Sequence, residues 1–146
     1  MSKYDFSKVY AGLKDFQRDT VEYAFQRMYL DDPPARRFLV ADEVGLGKTL
    51  VARGLIARAI EHLDRQGVDR IDVVYICSNS NIARQNISRL NVTQRDDFAF
   101  ASRITLLAAE LRKLTRNPLN FVSFTPGTSF NLRSNLGQQD ERKLLY

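Results

Sequence analysis

The feature that most constrains this sequence is a short apolar run that leads through a glycine-bearing turn into a helix. Residues 38–41 carry no charge and follow Arg36 and Arg37, a pattern typical of a strand buried on both faces of a parallel sheet. The turn that follows contains Gly45 and Gly47, which allow positive φ and have no Cβ. Such a turn lets the backbone curl around an anion and bring N–H groups against it. The sequence therefore predicts a strand, an anion-binding loop and a helix in succession.

The loop supplies the groups that a triphosphate and its metal ion need. Backbone N–H groups would hold phosphate oxygens, the Lys48 ammonium would reach the β- and γ-phosphates, and the Thr49 hydroxyl would bind Mg²⁺. The start of the next helix adds unpaired N–H groups and the positive end of its dipole. The predicted nucleotide-binding residues of this loop are Val44, Gly45, Leu46, Gly47, Lys48 and Thr49. The alternative is a glycine-rich turn that happens to end in Lys-Thr.

The loop departs from the general phosphate-loop formula, which has glycine where this chain has Asp42. The segment from Asp42 to Thr49, Asp-Glu-Val-Gly-Leu-Gly-Lys-Thr, resembles instead the loop of superfamily-two helicases, and above all that of Swi/Snf-type translocating ATPases. The resemblance implies an ATP-dependent nucleic-acid motor with ATP and Mg²⁺ as cofactors. It also implies an α/β fold of the three-layer RecA-like P-loop type with a mostly parallel sheet, of which this chain would be the incomplete N-terminal portion of one lobe.

Length and composition agree with one domain of modest size. The chain has 146 residues, of which 44% are hydrophobic, whereas a motor with two lobes needs roughly 350 residues. The net charge of +5 makes nucleic acid a plausible partner. The single cysteine, Cys77, excludes an internal disulfide, and neither a signal peptide nor an apolar run of membrane-spanning length is present. We therefore expect a cytoplasmic protein with no membrane partner.

The resemblance divides the chain into a helical segment at 1–35, a partial RecA-like ATP-binding domain at 36–130 and a truncated tail at 131–146. Helical periodicity from Asp15, a candidate N-cap, to about Leu30 predicts the first long helix. Within it, Gln17 stands where superfamily-two motors carry the glutamine that reads adenine. The alternative for Gln17 is a glutamine on the surface of a helix.

Several further elements are predicted from hydrophobic periodicity. The helix after the loop has one apolar face and is expected to end at Gly67, with His62 solvated on its polar side. Residues 71–77 predict a second parallel strand, which would complete a βαβ unit with the strand at 38–41. Beyond them the sequence predicts a helix from about Ser80, a short strand at 104–107, a short helix at 108–114 and a strand at 121–124.

A polar segment after the second strand resembles the next helicase motif, in which a loop and a helix start hold the nucleic-acid backbone. Ser and Asn side chains, together with N–H groups at a helix start, can bind a phosphate without reading sequence. The predicted nucleic-acid contacts of this segment are Ser78, Asn79, Arg84 and Gln85. The alternative is a polar loop with a good N-cap.

A later segment, Thr125-Pro126-Gly127, resembles the T-P-G-R motif of helicases, with Thr128 in place of the arginine. Thr125 and Gly127 are its predicted contacts to nucleic acid, and DNA is favoured over RNA. The alternative is a Pro-Gly turn after a strand.

Outside the phosphate loop, the sequence contains no apolar run ending in Asp-Glu, the carboxylate-bearing strand that such motors use for hydrolysis. Neither Asp96-Asp97 nor Asp140-Glu141 ends an apolar run, and fast phosphoryl transfer to water needs such a carboxylate and an arginine from another lobe. The isolated chain is therefore expected to bind ATP but to hydrolyse it poorly, with a second chain as a candidate source of the missing parts. Two alternatives stay open: a non-catalytic basic module that binds nucleic acid or a partner, and a degenerate helicase fragment.

Overall fold

The computed structural model describes residues 4–93 and 115–125, which belong to two compact units. The first unit contains residues 4–69 and 89–93, and the second contains 70–88 and 115–125. The strand predicted at 104–107, the helix predicted at 108–114 and the tail at 131–146 lie outside the described residues.

The first unit is built from helices. They are α1 (Ser7–Ala11), α2 (Asp15–Phe25), a π-helical turn that continues α2 (Gln26–Leu30) and α3 (Lys48–Arg65). The helix predicted to run from Asp15 to about Leu30 is thus confirmed, although Asp15 is its first helical residue and Lys14 takes the extended N-cap conformation. The buried residues recur every three or four positions, as one face of a helix requires. They are Gln17, Val21, Ala24 and Phe25 on α2, and Val51, Gly54, Ala57 and Ile60 on α3.

Gly54 allows close packing between α3 and the residues of and before α2. A Cβ on this residue would lie 2.8 Å from Cγ2 of Val21 and 2.9 Å from Cδ1 of Leu13. Leu13, Val21 and Val51 form a buried cluster at this place, and burying side chains of this size stabilises a fold by about 1.5–3 kcal/mol each. The missing side chain of Gly54 therefore allows the two helices to bury that cluster.

The C-terminus of α3 is closed as the sequence predicts. Gly67 has a φ of 74°, the left-handed conformation that glycine adopts without a steric penalty. The Val68 N–H donates to the Leu63 carbonyl oxygen at 3.0 Å, and the Gly67 N–H donates to that of Asp64 at 3.1 Å. These bonds satisfy carbonyls that the end of the helix would otherwise leave unpaired.

His62 on α3 is only partly exposed, because it has aromatic contacts that the sequence analysis did not foresee. Its ring packs edge-on against the rings of Phe25 and Tyr29, with centroids 5.3 and 5.7 Å away. The two aromatic rings stack on each other at 5.2 Å and reach over the side of α3 that the sequence pattern assigned to solvent. His62 therefore takes part in an aromatic cluster.

Residues 38–41 form no strand in the described structure. The N–H groups of residues 36–41 donate no hydrogen bond to any described residue, and the Leu39 side chain is 84% exposed. Only the other side of the segment is covered: Val40 packs against the buried cluster of Leu13, Val21 and Val51. The prediction of a strand buried on both faces is therefore wrong, and so is the βαβ unit built on it, because no described strand lies beside this segment.

The second unit contains a parallel strand pair and residues 80–88 of a helix. Strand β1 (Ile71–Ile76) pairs with β2 (Leu119–Phe124), and α4 (Ser80–Leu90) lies between them in the chain. Both strands and the start of α4 agree with the sequence predictions. The chain is therefore an α/β protein with a parallel strand pair in its described part. None of the helices in residues 4–93 and 115–125 combines the length and apolar character that crossing a bilayer requires.

The register of the pair is supported by a side-chain hydrogen bond across it as well as by backbone bonds. Asp72 lies opposite Asn120, and the Asn120 Nδ2 donates to the Asp72 Oδ1 at 2.8 Å. Arg70 forms an ion pair with the same carboxylate at 3.0 Å. Because Asn120 is fully buried, a one-residue slip would separate its amide from the carboxylate and destabilise the pair.

Candidate nucleotide-binding site

The predicted anion-binding loop lies between an extended segment and the first residue of α3. Gly45 and Gly47 have φ values of 93° and 83°, so both use the left-handed freedom that the sequence analysis assigned to them. Gly47 is the N-cap of α3, and its carbonyl accepts from the N–H of Leu50 at 2.7 Å. The predicted succession of glycine turn and helix is confirmed.

Several backbone donors of the loop make no hydrogen bond with any described residue. They are the N–H groups of Gly45, Gly47, Lys48 and Thr49. The first N–H groups of a helix have no partner inside it, and together with the helix dipole they favour an anion. The loop therefore offers donors of the kind that a phosphate chain accepts from.

The Lys48 side chain folds back over the loop from the start of α3. Its Nζ donates to the carbonyl oxygens of Asp42 and Glu43 at 2.7 and 2.9 Å. The residue is exposed and not buried in the interior. An ammonium in this place can exchange its carbonyl partners for phosphate oxygens without leaving the loop.

Thr49 carries a polar side chain at the end of the loop, and Asp42 carries one just before it. The Thr49 hydroxyl has no partner among the described residues and is partly exposed, so it can serve as an oxygen ligand. The described residues hold no cluster of three or more His, Cys, Asp or Glu side chains suited to a metal. A bound Mg²⁺ would therefore depend on the hydroxyl, phosphate oxygens and water, which is how this ion is commonly held. The Oδ2 of Asp42 is buried without a partner among the described residues.

Two apolar loop residues can contribute through their backbone only. Val44 is 98% exposed and Leu46 is 44% exposed, and neither carries a side-chain hydrogen-bonding group. The carbonyl oxygen of Leu46 is already in use, because it accepts from the amide of Gln17. Leu46 is therefore tied to α2 through its backbone.

Gln17 lies next to the loop but is buried, with 3% of its surface exposed. Its Oε1 accepts from the Lys14 N–H at 3.0 Å, and its Nε2 donates to the Leu46 carbonyl oxygen at 2.9 Å. The structure thus brings Gln17 and the loop together as the sequence predicts, whereas its burial was not foreseen. The available signal was its spacing, since Gln17, Val21 and Ala24 follow the three-or-four-residue repeat of a buried helix face.

The predicted nucleic-acid contacts belong to the second unit, at the start of α4 and the end of β2. Ser78, Asn79 and Gln85 are exposed, while the side chain of Arg84 and all of Gly127 lie outside the described residues. The Asn79 Oδ1 accepts from the N–H groups of Asn81 and Ile82 at 2.9 and 3.2 Å. Asn79 therefore caps α4, as the alternative interpretation of this segment expects.

The two segments predicted to contact nucleic acid follow the same edge of the strand pair. Ile76 at the end of β1 pairs in parallel with Phe124 at the end of β2, so Cys77 and Thr125 both leave the pair at its carboxyl edge. Thr125 is only 3% exposed, which leaves its side chain little surface for a polymer. The contact role predicted for Thr125 stays a prediction.

No model of a known protein family matches this chain, and no match is found among curated proteins or solved structures. Any function assigned to the chain therefore rests on its own residues and their geometry.

Proposed function

We propose that this chain binds ATP with Mg²⁺ at the loop of residues 44–49 and is the ATP-binding portion of a superfamily-two, Swi/Snf-like helicase or nucleic-acid translocase. The observation that carries the proposal is the loop itself: left-handed glycines, unpaired N–H groups and an exposed lysine in an octapeptide of the Swi/Snf type. The chain would be a portion of a RecA-like lobe, a finer assignment than the α/β class alone.

Each part of the loop has a role in this proposal. The N–H groups of Gly45, Gly47 and Lys48 would hold phosphate oxygens, and the Lys48 ammonium would contact the β- and γ-phosphates. The Thr49 hydroxyl would hold Mg²⁺, and the ion would supply positive charge against the negative phosphates. Because no apolar strand ending in Asp-Glu occurs in the sequence, we expect little hydrolysis by this chain alone, and a second chain is a candidate source of the remaining groups.

DNA is the proposed polymer. Two segments of the chain, one at the start of α4 and one after β2, would contact the DNA backbone. The net charge of +5 favours such a partner. Exposed Ser78, before α4, and exposed Gln85, on α4, offer neutral groups that can donate to phosphate oxygens.

Replacement of Lys48 by alanine tests the nucleotide assignment. A hydrogen bond to a charged group is worth about 1.5–3 kcal/mol, so Lys48→Ala should weaken the binding of a fluorescent ATP analogue with Mg²⁺ by about tenfold or more. The fold should be retained, because the exposed ammonium contacts only two carbonyl oxygens of the loop.

The matched control is Lys8→Ala, which removes the same charge from an exposed position on α1. It should leave the affinity for the analogue unchanged. Equal affinity of the wild-type protein and Lys48→Ala would show that the loop does not bind the triphosphate, and the proposed function would then be wrong.

A further inference from the structure

Gln17 is a polar residue at a core position of α2. Its side chain lies on the same helix face as Val21, Ala24 and Phe25, and its exposed fraction of 3% is comparable with theirs. A buried amide needs hydrogen-bond partners, since an unpaired one destabilises the fold. Its partners therefore indicate what the residue does.

The oxygen and the nitrogen of the Gln17 side-chain amide each form a hydrogen bond with a backbone group. The Oε1 accepts from the N–H of Lys14 at the N-terminus of α2, and the Nε2 donates to the carbonyl oxygen of Leu46 within the loop. The amide thus connects the first turn of α2 to the middle of the loop, although the two lie 29 residues apart in the sequence.

The contact between this amide and the loop is also tight. A Cβ built on Gly47 would lie 2.6 Å from the Gln17 Nε2, closer than real Cβ contacts come. The backbone of Gly47 therefore lies directly against the amide, and the φ of 83° at Gly47 is adopted where the two meet. Gln17 is placed to fix the shape of the loop immediately before α3 begins.

We propose that Gln17 is a positioning residue that holds the phosphate loop in shape, and that the site selects its ligand by the phosphate chain and not by the adenine base. This inference rests on the proposed function, because it concerns the same loop. To read adenine, the amide would have to present a donor and an acceptor to the base together. In this structure one donor and one acceptor are already used, and the side chain has almost no exposed surface.

The inference is tested by comparing three ligands on two proteins. Wild-type protein and Gln17→Met are titrated by calorimetry with ATP, GTP and inorganic tripolyphosphate, each with Mg²⁺ at one ionic strength. Methionine keeps the length and apolar packing of the side chain but has no donor for the Leu46 carbonyl. The wild-type affinities for ATP and GTP should agree within about threefold, and Gln17→Met should weaken all three ligands by a similar factor of about ten or more.

A second measurement separates loop positioning from loss of folding. Hydrogen exchange of the amides in residues 43–49 should be faster in Gln17→Met, while the amides of α3 beyond its first turn keep their protection. Asp19→Ala, at an exposed position on the same helix, should change neither the exchange nor the affinities. Gln17→Glu retains an acceptor for the Lys14 N–H but sets an oxygen against the Leu46 carbonyl, so it should behave like Gln17→Met.

The failures of the two proposals have different signatures. A wild-type preference for ATP over GTP of more than about tenfold that disappears in Gln17→Met would mean that Gln17 reads adenine, so this inference would be overturned while the proposed function stands. Unchanged affinities and unchanged exchange in Gln17→Met would also overturn it. If the wild-type protein binds none of the three ligands, the proposed function fails and this inference fails with it.

Discussion

Charged side chains surround a partly buried tyrosine, Tyr10, on the helices of the first unit. The Tyr10 hydroxyl donates to the Glu61 Oε2 at 3.3 Å, and Glu61 is also paired with Arg65 at 2.6 Å. Arg58 lies over the ring of Phe25 at 4.5 Å. A cavity of about 220 Å³ is lined by Tyr10, Arg18, Glu22, Arg58 and Glu61. Its charges compensate one another, so the network indicates a structural role more than a ligand site.

The free energy of unfolding should depend on pH through the protonation of the Tyr10 hydroxyl. Burial, and then the negative charge of Glu61, raise the pKa of Tyr10 above its usual value. Below the pKa of the unfolded chain, about 10, the phenol is protonated in both states. At higher pH the unfolded chain releases its proton first, so the free energy of unfolding falls as pH rises. Urea unfolding of wild type and Tyr10→Phe between neutral and strongly alkaline pH should therefore show a smaller decline in the variant.

Glu61→Gln is the companion variant for this measurement, because it removes the neighbouring charge and keeps a hydrogen-bond acceptor. Its decline should lie between those of wild type and Tyr10→Phe. The same decline in all three proteins would contradict the assignment of the raised pKa to Tyr10.

Among the elements, the segment before the loop, residues 38–41, packs through one face although it belongs to no described sheet. Phe38 and Val40 are partly buried, whereas Leu39 and Ala41 are exposed. Phe38 meets the ring of Tyr23 at 5.8 Å, and Val40 packs on the buried cluster at the contact of α2 and α3. The segment is thus held by alternate side chains, and its attachment fixes where the loop begins.

Matched alanine substitutions test this one-sided packing. Leu39→Ala should change the free energy of unfolding by less than about 0.5 kcal/mol, as for a surface position. Val40→Ala removes methyl groups that contact the buried cluster and should cost about 1 kcal/mol or more. Chemical denaturation of both variants gives the comparison. A loss of about 2–5 kcal/mol for Leu39→Ala, typical of a buried leucine, would show that the segment is a strand covered on both faces.

Hydrophobic patterns were enough to place α2, α3 and α4, whose apolar residues repeat at the helical period, and β1 and β2, which are short, mostly apolar runs. These patterns failed where the apolar composition of a segment does not determine what the segment packs against. An apolar run such as Phe38–Ala41 indicates burial but not a pairing partner, and the partner decides whether a strand forms. Phe16 falls at the helical spacing of the apolar residues of α2, yet it is 44% exposed. The neighbouring Gln17 takes the buried position because backbone groups of Lys14 and Leu46 satisfy its amide.

The loop was predictable for a different reason. Left-handed glycines followed by lysine and threonine at a helix start constrain the backbone locally, so Gly45, Gly47 and the first residue of α3 were correctly placed. The environment of His62 was not predictable, because its aromatic neighbours Phe25 and Tyr29 come from another helical segment. The periodicity of one element does not show which residues of another element it contacts.

In the whole molecule, the predicted nucleotide and nucleic-acid residues fall in different units. Gln17 and the loop of 44–49 belong to the first unit, whereas Ser78, Asn79 and Thr125 belong to the second. Each proposed activity can therefore be measured through substitutions in one unit. Lys48→Ala tests nucleotide binding, and substitutions at the start of α4 test DNA binding.

The salt dependence of DNA binding tests the second unit. Each phosphate contact that is removed should reduce the log–log slope of affinity against salt by roughly 0.9 for duplex DNA. Arg84→Ala, at a predicted contact, should lower the slope by about this amount. Arg89→Ala, in the last turn of the same helix, is the control and should leave the slope unchanged. Equal changes in the two variants would indicate general surface charge in place of a contact by Arg84.

The fold-back of Lys48 has a consequence for the kind of ligand that the loop can hold. The carbonyl oxygens of Asp42 and Glu43 already bind the Lys48 ammonium. A phosphate that replaces them therefore contributes only the difference between two interaction energies, that of the ammonium with an anionic oxygen and that with a neutral one. That difference grows with the negative charge facing the lysine. The loop should accordingly rank its ligands by ionisation, holding triphosphate more tightly than diphosphate and diphosphate more tightly than monophosphate.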